Sequence, residues 1–139
     1  MEKDPSGLPG MRRNPWILKT ADGKTEFSAF RDALLDPPAI VVLAGKQELR
    51  YHLRCLDDLY EMLKERADWV PLGWAAEAEQ PRAGSVEAWA RSPRNPLGGW
   101  YGLQKGSRGL FALFIPVIMR VLNLAEVEDG PGGGRMRAV

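Results

Sequence analysis

Residues 39–63 constrain the fold most, because they join two incompatible hydrophobic periods. Ala39-Ile-Val-Val-Leu43 is β-branched and apolar on both faces, which predicts a strand central in its sheet. Ala44-Gly45-Lys46 turns the chain. Leu49, Leu53, Leu56, Tyr60 and Leu63 then recur at spacings of 4, 3, 4 and 3, a continuous helical stripe. Strand and helix side by side predict an α+β chain. Leu49, Tyr51 and Leu53 also alternate, so residues 47–53 read as strand or as first helical turns; length and strong helix formers favour the helix.

The flanks extend this pattern. Residues 1–14, rich in Gly, Pro and charge, are expected to be a disordered leader, with one α+β domain over 15–139. Trp16-Ile-Leu-Lys-Thr20 reads as a short strand and Asp22-Gly23 as a tight turn. Phe27, Phe30 and Leu34 fall at i, i+3 and i+7, which favours a short helix over a second hairpin strand, ended by Asp36-Pro37-Pro38. Trp69-Val-Pro-Leu72 suggests a short strand and 74–84 an exposed connection. Ser85 is a natural N-cap for a helix over 86–91. Leu110 to Leu124 is strongly apolar with Pro116 inside it, giving either a kinked helix or a strand followed by a helix that starts near Pro116. Ala125-Glu-Val-Glu128 and Arg135-Met-Arg-Ala-Val139 flank a Gly130-Pro-Gly-Gly-Gly134 loop, a predicted hairpin. The order helix, short strand, helix, loop, apolar helix, hairpin is that of a winged helix. The expected C-terminal part, about 47–139, is therefore winged-helix-like and follows an N-terminal β-containing part.

Composition excludes several function classes. One cysteine, Cys55, rules out an intrachain disulfide and a multi-thiolate zinc site. One histidine, His52, removes most metal and acid–base chemistry. His52 and Cys55 would share a helix face, yet a helix supplies neither an orienting third group nor an oxyanion donor, so a buried Cys and a surface His are the plainer reading. Asp57, Asp58 and Glu61 read as a solvated face with Lys64. No metal and no cofactor is expected, and enzymatic activity is disfavoured. No apolar run reaches the roughly 20 residues of a membrane span, and the first 13 residues lack a signal-peptide core, so no membrane partner and a cytoplasmic location are expected.

Charge is unevenly placed. Ala88 to Ala125 contains no Asp or Glu but holds Arg91, Arg94, Lys105, Arg108 and Arg120, so this window is +5 in a chain of net charge +1. Trp100 and Tyr101 lie among these cations. The expectation is a nucleic-acid-binding loop in which Arg91, Arg94, Lys105 and Arg108 meet phosphates while Trp100 and Tyr101 pack on sugar or base. Arg135 and Arg137 on the hairpin would add phosphate contacts, although Glu126, Glu128 and Asp129 oppose them. Four or five engaged cations predict a log K against log salt slope of about −4. The competing reading is that Trp100 and Tyr101 anchor a glycine-rich loop to the core. Lys105-Gly106-Ser107 lacks the order of a phosphate-cradling loop. Five tryptophans suit a core, and exposed ones would instead favour another protein, or the chain itself, as partner.

The runs Leu49-Arg-Tyr-His-Leu-Arg-Cys-Leu-Asp-Asp-Leu59, Asp68-Trp-Val-Pro-Leu-Gly73, Val86-Glu-Ala-Trp-Ala-Arg-Ser-Pro93 and Gly98-Gly-Trp-Tyr-Gly-Leu103, with the hairpin ending, resemble a group of small uncharacterised bacterial proteins. The resemblance spans Pro15 to Val139 and implies a self-contained cytoplasmic domain. It implies no activity, cofactor or site residue. The sequence expectation is thus a non-enzymatic binding protein with DNA or RNA as preferred partner, and a protein-interaction or structural module, homo-oligomeric in one form, as the alternative.

Overall fold

In a computed structural model, residues 7–104, 107–129 and 133–139 are described. The chain is α+β. An antiparallel meander of β1 (Trp16–Lys19), β2 (Glu26–Asp32), β3 (Ala39–Ala44) and β4 (Gln47–His52) forms a four-stranded sheet in that order. Then follow α1 (Cys55–Arg66), β5 (Val70–Pro71), α2 (Val86–Ala90), α3 (Phe111–Val121), β6 (Ala125–Glu128) and β7 (Arg135–Ala138). The last two strands make the expected hairpin, and β5 joins it in a three-stranded sheet of order β5-β7-β6.

Two expectations are corrected at the strands. Residues 47–52 are β4, not helix, because Ala44 pairs with Gln47 across the two-residue turn Gly45-Lys46. Gly45 takes φ 60°, a left-handed conformation open to glycine. The turn lays Leu49 and Tyr51 back against β3, and their alternation prevails over the helical spacing. Residues 26–32 likewise form β2 rather than a helix. Phe27 faces the main core and Phe30 the opposite side, while Leu34 points into solvent at 96% exposure. Along a strand an odd spacing such as 3 puts two residues on opposite sides, which is where Phe27 and Phe30 lie.

The expected loose leader is not what residues 7–14 form; residues 1–6 lie outside the described ones. Arg31 donates its N–H to the Gly10 carbonyl at 2.8 Å, and the Arg12 guanidinium pairs with Asp32. A side chain on Gly10 would run into the Trp16 ring, so glycine permits that close approach.

One core joins both parts. Trp16, Phe27, Ile40, Val42, Leu49 and Tyr51 from the first sheet pack with Leu59 and Leu63 of α1 and most of α3. Asp57 and Asp58 begin α1 and Lys64 and Arg66 end it, in the sense that complements the helix dipole. Eight of the eleven α3 residues are buried, so α3 is a core helix rather than an amphipathic one. Pro116 sits inside it, which decides between the two expected forms of that segment. Ser85 caps α2 by accepting the Ala88 N–H at 3.1 Å. No helix of the described residues is long and apolar enough to cross a membrane.

Candidate functional site

The acid-free loop begins with Arg91, one turn after Glu87 on α2. Glu87 is fully buried, and its carboxylate accepts from Arg91 Nε at 3.2 Å, Ala112 N–H at 3.0 Å and Ala75 N–H at 3.4 Å. Burial pushes its carboxyl upward, against the opposing pull of those N–H groups and Arg91. Arg91 also donates to the carbonyls of Ala75, Ala76, Glu77 and Glu79. It therefore holds the 74–79 connection on α2, and its donors are directed inward.

Arg108 is engaged in the same way. It donates to the Gly99 carbonyl at 2.9 Å and the Arg91 carbonyl at 3.2 Å, and it stacks 4.2 Å from the Trp100 ring centroid. Gly99 explains part of the glycine richness here. It takes φ 91°, and a side chain on it would lie 2.5 Å from the Arg91 carbonyl oxygen.

The two aromatics of the loop separate. Trp100 is 55% exposed, whereas Tyr101 is buried, stacked on Trp89 and donating its hydroxyl to Asp58 at 2.8 Å. Burial and that carboxylate push the Tyr101 hydroxyl far up. Tyr101 is thus an anchor that ties the loop to α1 and offers no free face to a base. Arg94 is exposed, and no described residue pairs with its guanidinium. Arg120 is exposed on α3, and Lys105 lies outside the described residues.

The hairpin cations form a second cluster. On the outer side of the small sheet Arg137 lies opposite Glu126 and Arg135 opposite Glu128, and both pairs are bonded. Trp69 lies beside both guanidiniums, at 4.3 Å from Arg135 and 4.4 Å from Arg137. The acids expected to oppose an anion are therefore the partners of these arginines. Segment 81–83 lies between the two clusters. Arg82 lines a hollow of 510 Å³ with Trp69 and Arg135, while Pro81 and Ala83 line one of 500 Å³ with Arg91 and Arg108.

His52 and Cys55 do not share a helix face, since His52 ends β4 and Cys55 begins α1. Burial pushes the Cys55 thiol up and the His52 imidazole down, with Arg54 adding to the latter. Neither shift prepares a thiolate–imidazolium pair. Asp58 is not part of a free acidic face, because Arg54 pairs with it at 2.9 Å. Among the described residues no three His, Cys, Asp or Glu gather to hold a metal.

Composition gave no signal for a third surface, the outer side of the four-stranded sheet. Phe30 and Val41 are buried there outside the main core, with the Arg12 guanidinium 5.1 Å from the Phe30 ring centroid. Beside them Ile17 lies opposite Ser28 and Ser28 opposite Leu43. Ile17 is 69% and Leu43 37% exposed. The alternation of 16–19 and 39–44, once the side facing α3 is known, is the signal that could have found this row.

The two edges of that sheet differ. Segment 101–103 closes the Arg50–His52 half of β4, with Leu103 N–H donating to the Arg50 carbonyl and His52 N–H to the Tyr101 carbonyl. On β1 no described residue bonds the outward backbone groups. Comparison with curated proteins finds no match, and neither does comparison with solved structures. A family model of unknown function matches residues 9–139, nearly the whole chain, so the protein belongs to that family of unknown function, DUF6855.

Proposed function

We propose that the chain is a non-enzymatic protein-interaction module whose docking surface is the outer side of its four-stranded sheet. The observation that carries this reading is the row of exposed Ile17, half-buried Ser28 and exposed Leu43, which runs to a strand edge that no described residue bonds. Exposed β-branched and aliphatic side chains at an open edge are what strand-addition partners use. The C-terminal part serves as the scaffold. Its element order and its β5-β7-β6 strand order are in keeping with a winged-helix-like unit. Its α3, however, offers a groove almost no polar side chain.

The test is a photo-crosslinking residue placed in turn at Ile17 and at Leu43, the two ends of the row, in the cells that make the protein. The expected outcome is an adduct with another polypeptide. Absence of any protein adduct from both positions, with the protein folded, overturns the reading.

A second reading, nucleic-acid binding through loop 91–108, is favoured by the exposed Trp100 and Arg94. Arg91, Arg108, Arg135 and Arg137 already have partners within the chain. If Arg94 alone of the described loop cations meets phosphate, the salt slope is about −1, not −4. Titrating a short single strand at two ionic strengths measures it.

A further inference from the structure

We infer that the partner of the β1 edge is a second copy of this chain, joined by antiparallel pairing of β1 with itself. The inference rests on the interaction reading above and names its partner. Hydrogen-bonded and non-bonded residue pairs alternate along an antiparallel ladder. Thr20 N–H donates to the Thr25 carbonyl at 2.8 Å, so Leu18–Phe27 and Trp16–Ala29 are the bonded pairs of β1 with β2. Ile17 and Lys19 therefore turn their N–H and C=O groups away from β2. Arg31, two residues past Ala29, keeps the same phase by donating toward Gly10.

The sequence of β1 is compatible with its own copy about a two-fold axis through Ile17. Ile17 would then face Ile17 of the other copy and exchange two hydrogen bonds with it. Trp16 would face Leu18 on the core side, which keeps apolar against apolar. Each Lys19 N–H would reach the Pro15 carbonyl of the other copy, so the two lysines are not set opposite each other. Lys19 and Glu26 on one side of the face and Glu48 and Arg50 on the other leave it without net charge, so a copy meets no general repulsion. Segment 101–103 takes up the Arg50–His52 half of the β4 edge, which disfavours growth beyond an eight-stranded sheet of two copies.

Pro15 and Lys19 keep this edge short, a known device against unlimited strand addition. A four-residue strand pair buries well under the roughly 1,200 Å² of a stable complex. The expected dissociation constant is on the order of 0.1 mM.

Sedimentation velocity of the full chain, taken to several times that concentration, tests the pairing together with residue-resolved amide exchange. The expected result is a monomer–dimer equilibrium in which the Ile17 and Lys19 amides slow as concentration rises. Ile17→Pro removes an N–H that β2 does not use and so spares the fold. Ile17→Lys places a charge against its own copy. Each is expected to weaken association by about tenfold or more. Leu34→Lys, at an exposed site off this edge, leaves it unchanged. A dimer that persists in both Ile17 variants overturns the inference. So does a monomer at every concentration. If that monomer forms Ile17 or Leu43 adducts with a different protein, the interaction reading stands without the second copy; if neither position forms an adduct, the reading fails as well.

Discussion

Glu87 and Arg91 form the most buried ion pair among the described residues. Both are withdrawn from solvent: removing Arg91 strands the Glu87 charge and leaves four carbonyls without their donor, and removing Glu87 strands the Arg91 charge and two amide N–H groups. Arg91→Ala is expected to cost about 3–5 kcal/mol in urea denaturation, as for breaking other buried ion pairs. The two kinds of carboxylate give opposite pH effects. Glu87 is raised above its ordinary 4.5, so its contribution to stability is complete below that value and is lost as pH rises through its folded value. Asp32 is held below its ordinary 3.8 by the Arg12 hydrogen bond, so its contribution is present above 3.8 and is lost as pH falls through its folded value. Urea midpoints measured from pH 2 to 7 check both. Arg12→Ala is expected to flatten the acid limb only.

Phe111 is where the elements meet. At the start of α3 its ring packs edge-on to Tyr51 of β4 at 5.7 Å and lies beside Tyr101 and Trp89. Phe111→Ala is expected to cost about 3–5 kcal/mol and to abolish most of the near-UV circular dichroism. Tyr51 adds a polar tie, donating its buried hydroxyl to the Gly109 carbonyl at 2.9 Å. Tyr51→Phe keeps the ring and loses that bond, for an expected cost of about 1–2 kcal/mol. Elements with strong local signals were legible. Ala39–Ala44 needs only β-branched residues, and α2 needs only Ser85 before it. Gln47–His52 and Glu26–Asp32 were misjudged because two periods coexist there, and only the turn before each strand decides which one is used.

At the scale of the molecule, the sheet of β1 to β4 and the unit of α1 to β7 share one core through Tyr51, Leu59 and α3. Unfolding is therefore expected to be a single transition. Tryptophan fluorescence follows Trp16 in one part and Trp69, Trp74, Trp89 and Trp100 in the other, and far-UV circular dichroism follows α1 and α3. Their urea curves should coincide. Separate midpoints would mean that the two parts fold independently.

Residue types and local order sufficed for the α+β class, the strand at 39–44, the cap at Ser85 and the closing hairpin, since each depends on neighbours a few positions away. They also sufficed to locate the basic window as a run of residues. They could not tell where its charges point. A guanidinium has several donors on a long stem, and whether it meets solvent or main-chain carbonyls depends on segments far off in sequence, as Arg91 and residues 75–79 demonstrate. Tertiary structure alone decided that Tyr101 lies inside and Trp100 outside. It also decided that Arg135 and Arg137 rest on Trp69, and that segment 101–103 bonds the end of β4 while no described residue bonds the outer edge of β1. An open edge is a property of what packs beside a strand, and Trp16-Ile-Leu-Lys19 reads the same whether or not another segment covers it.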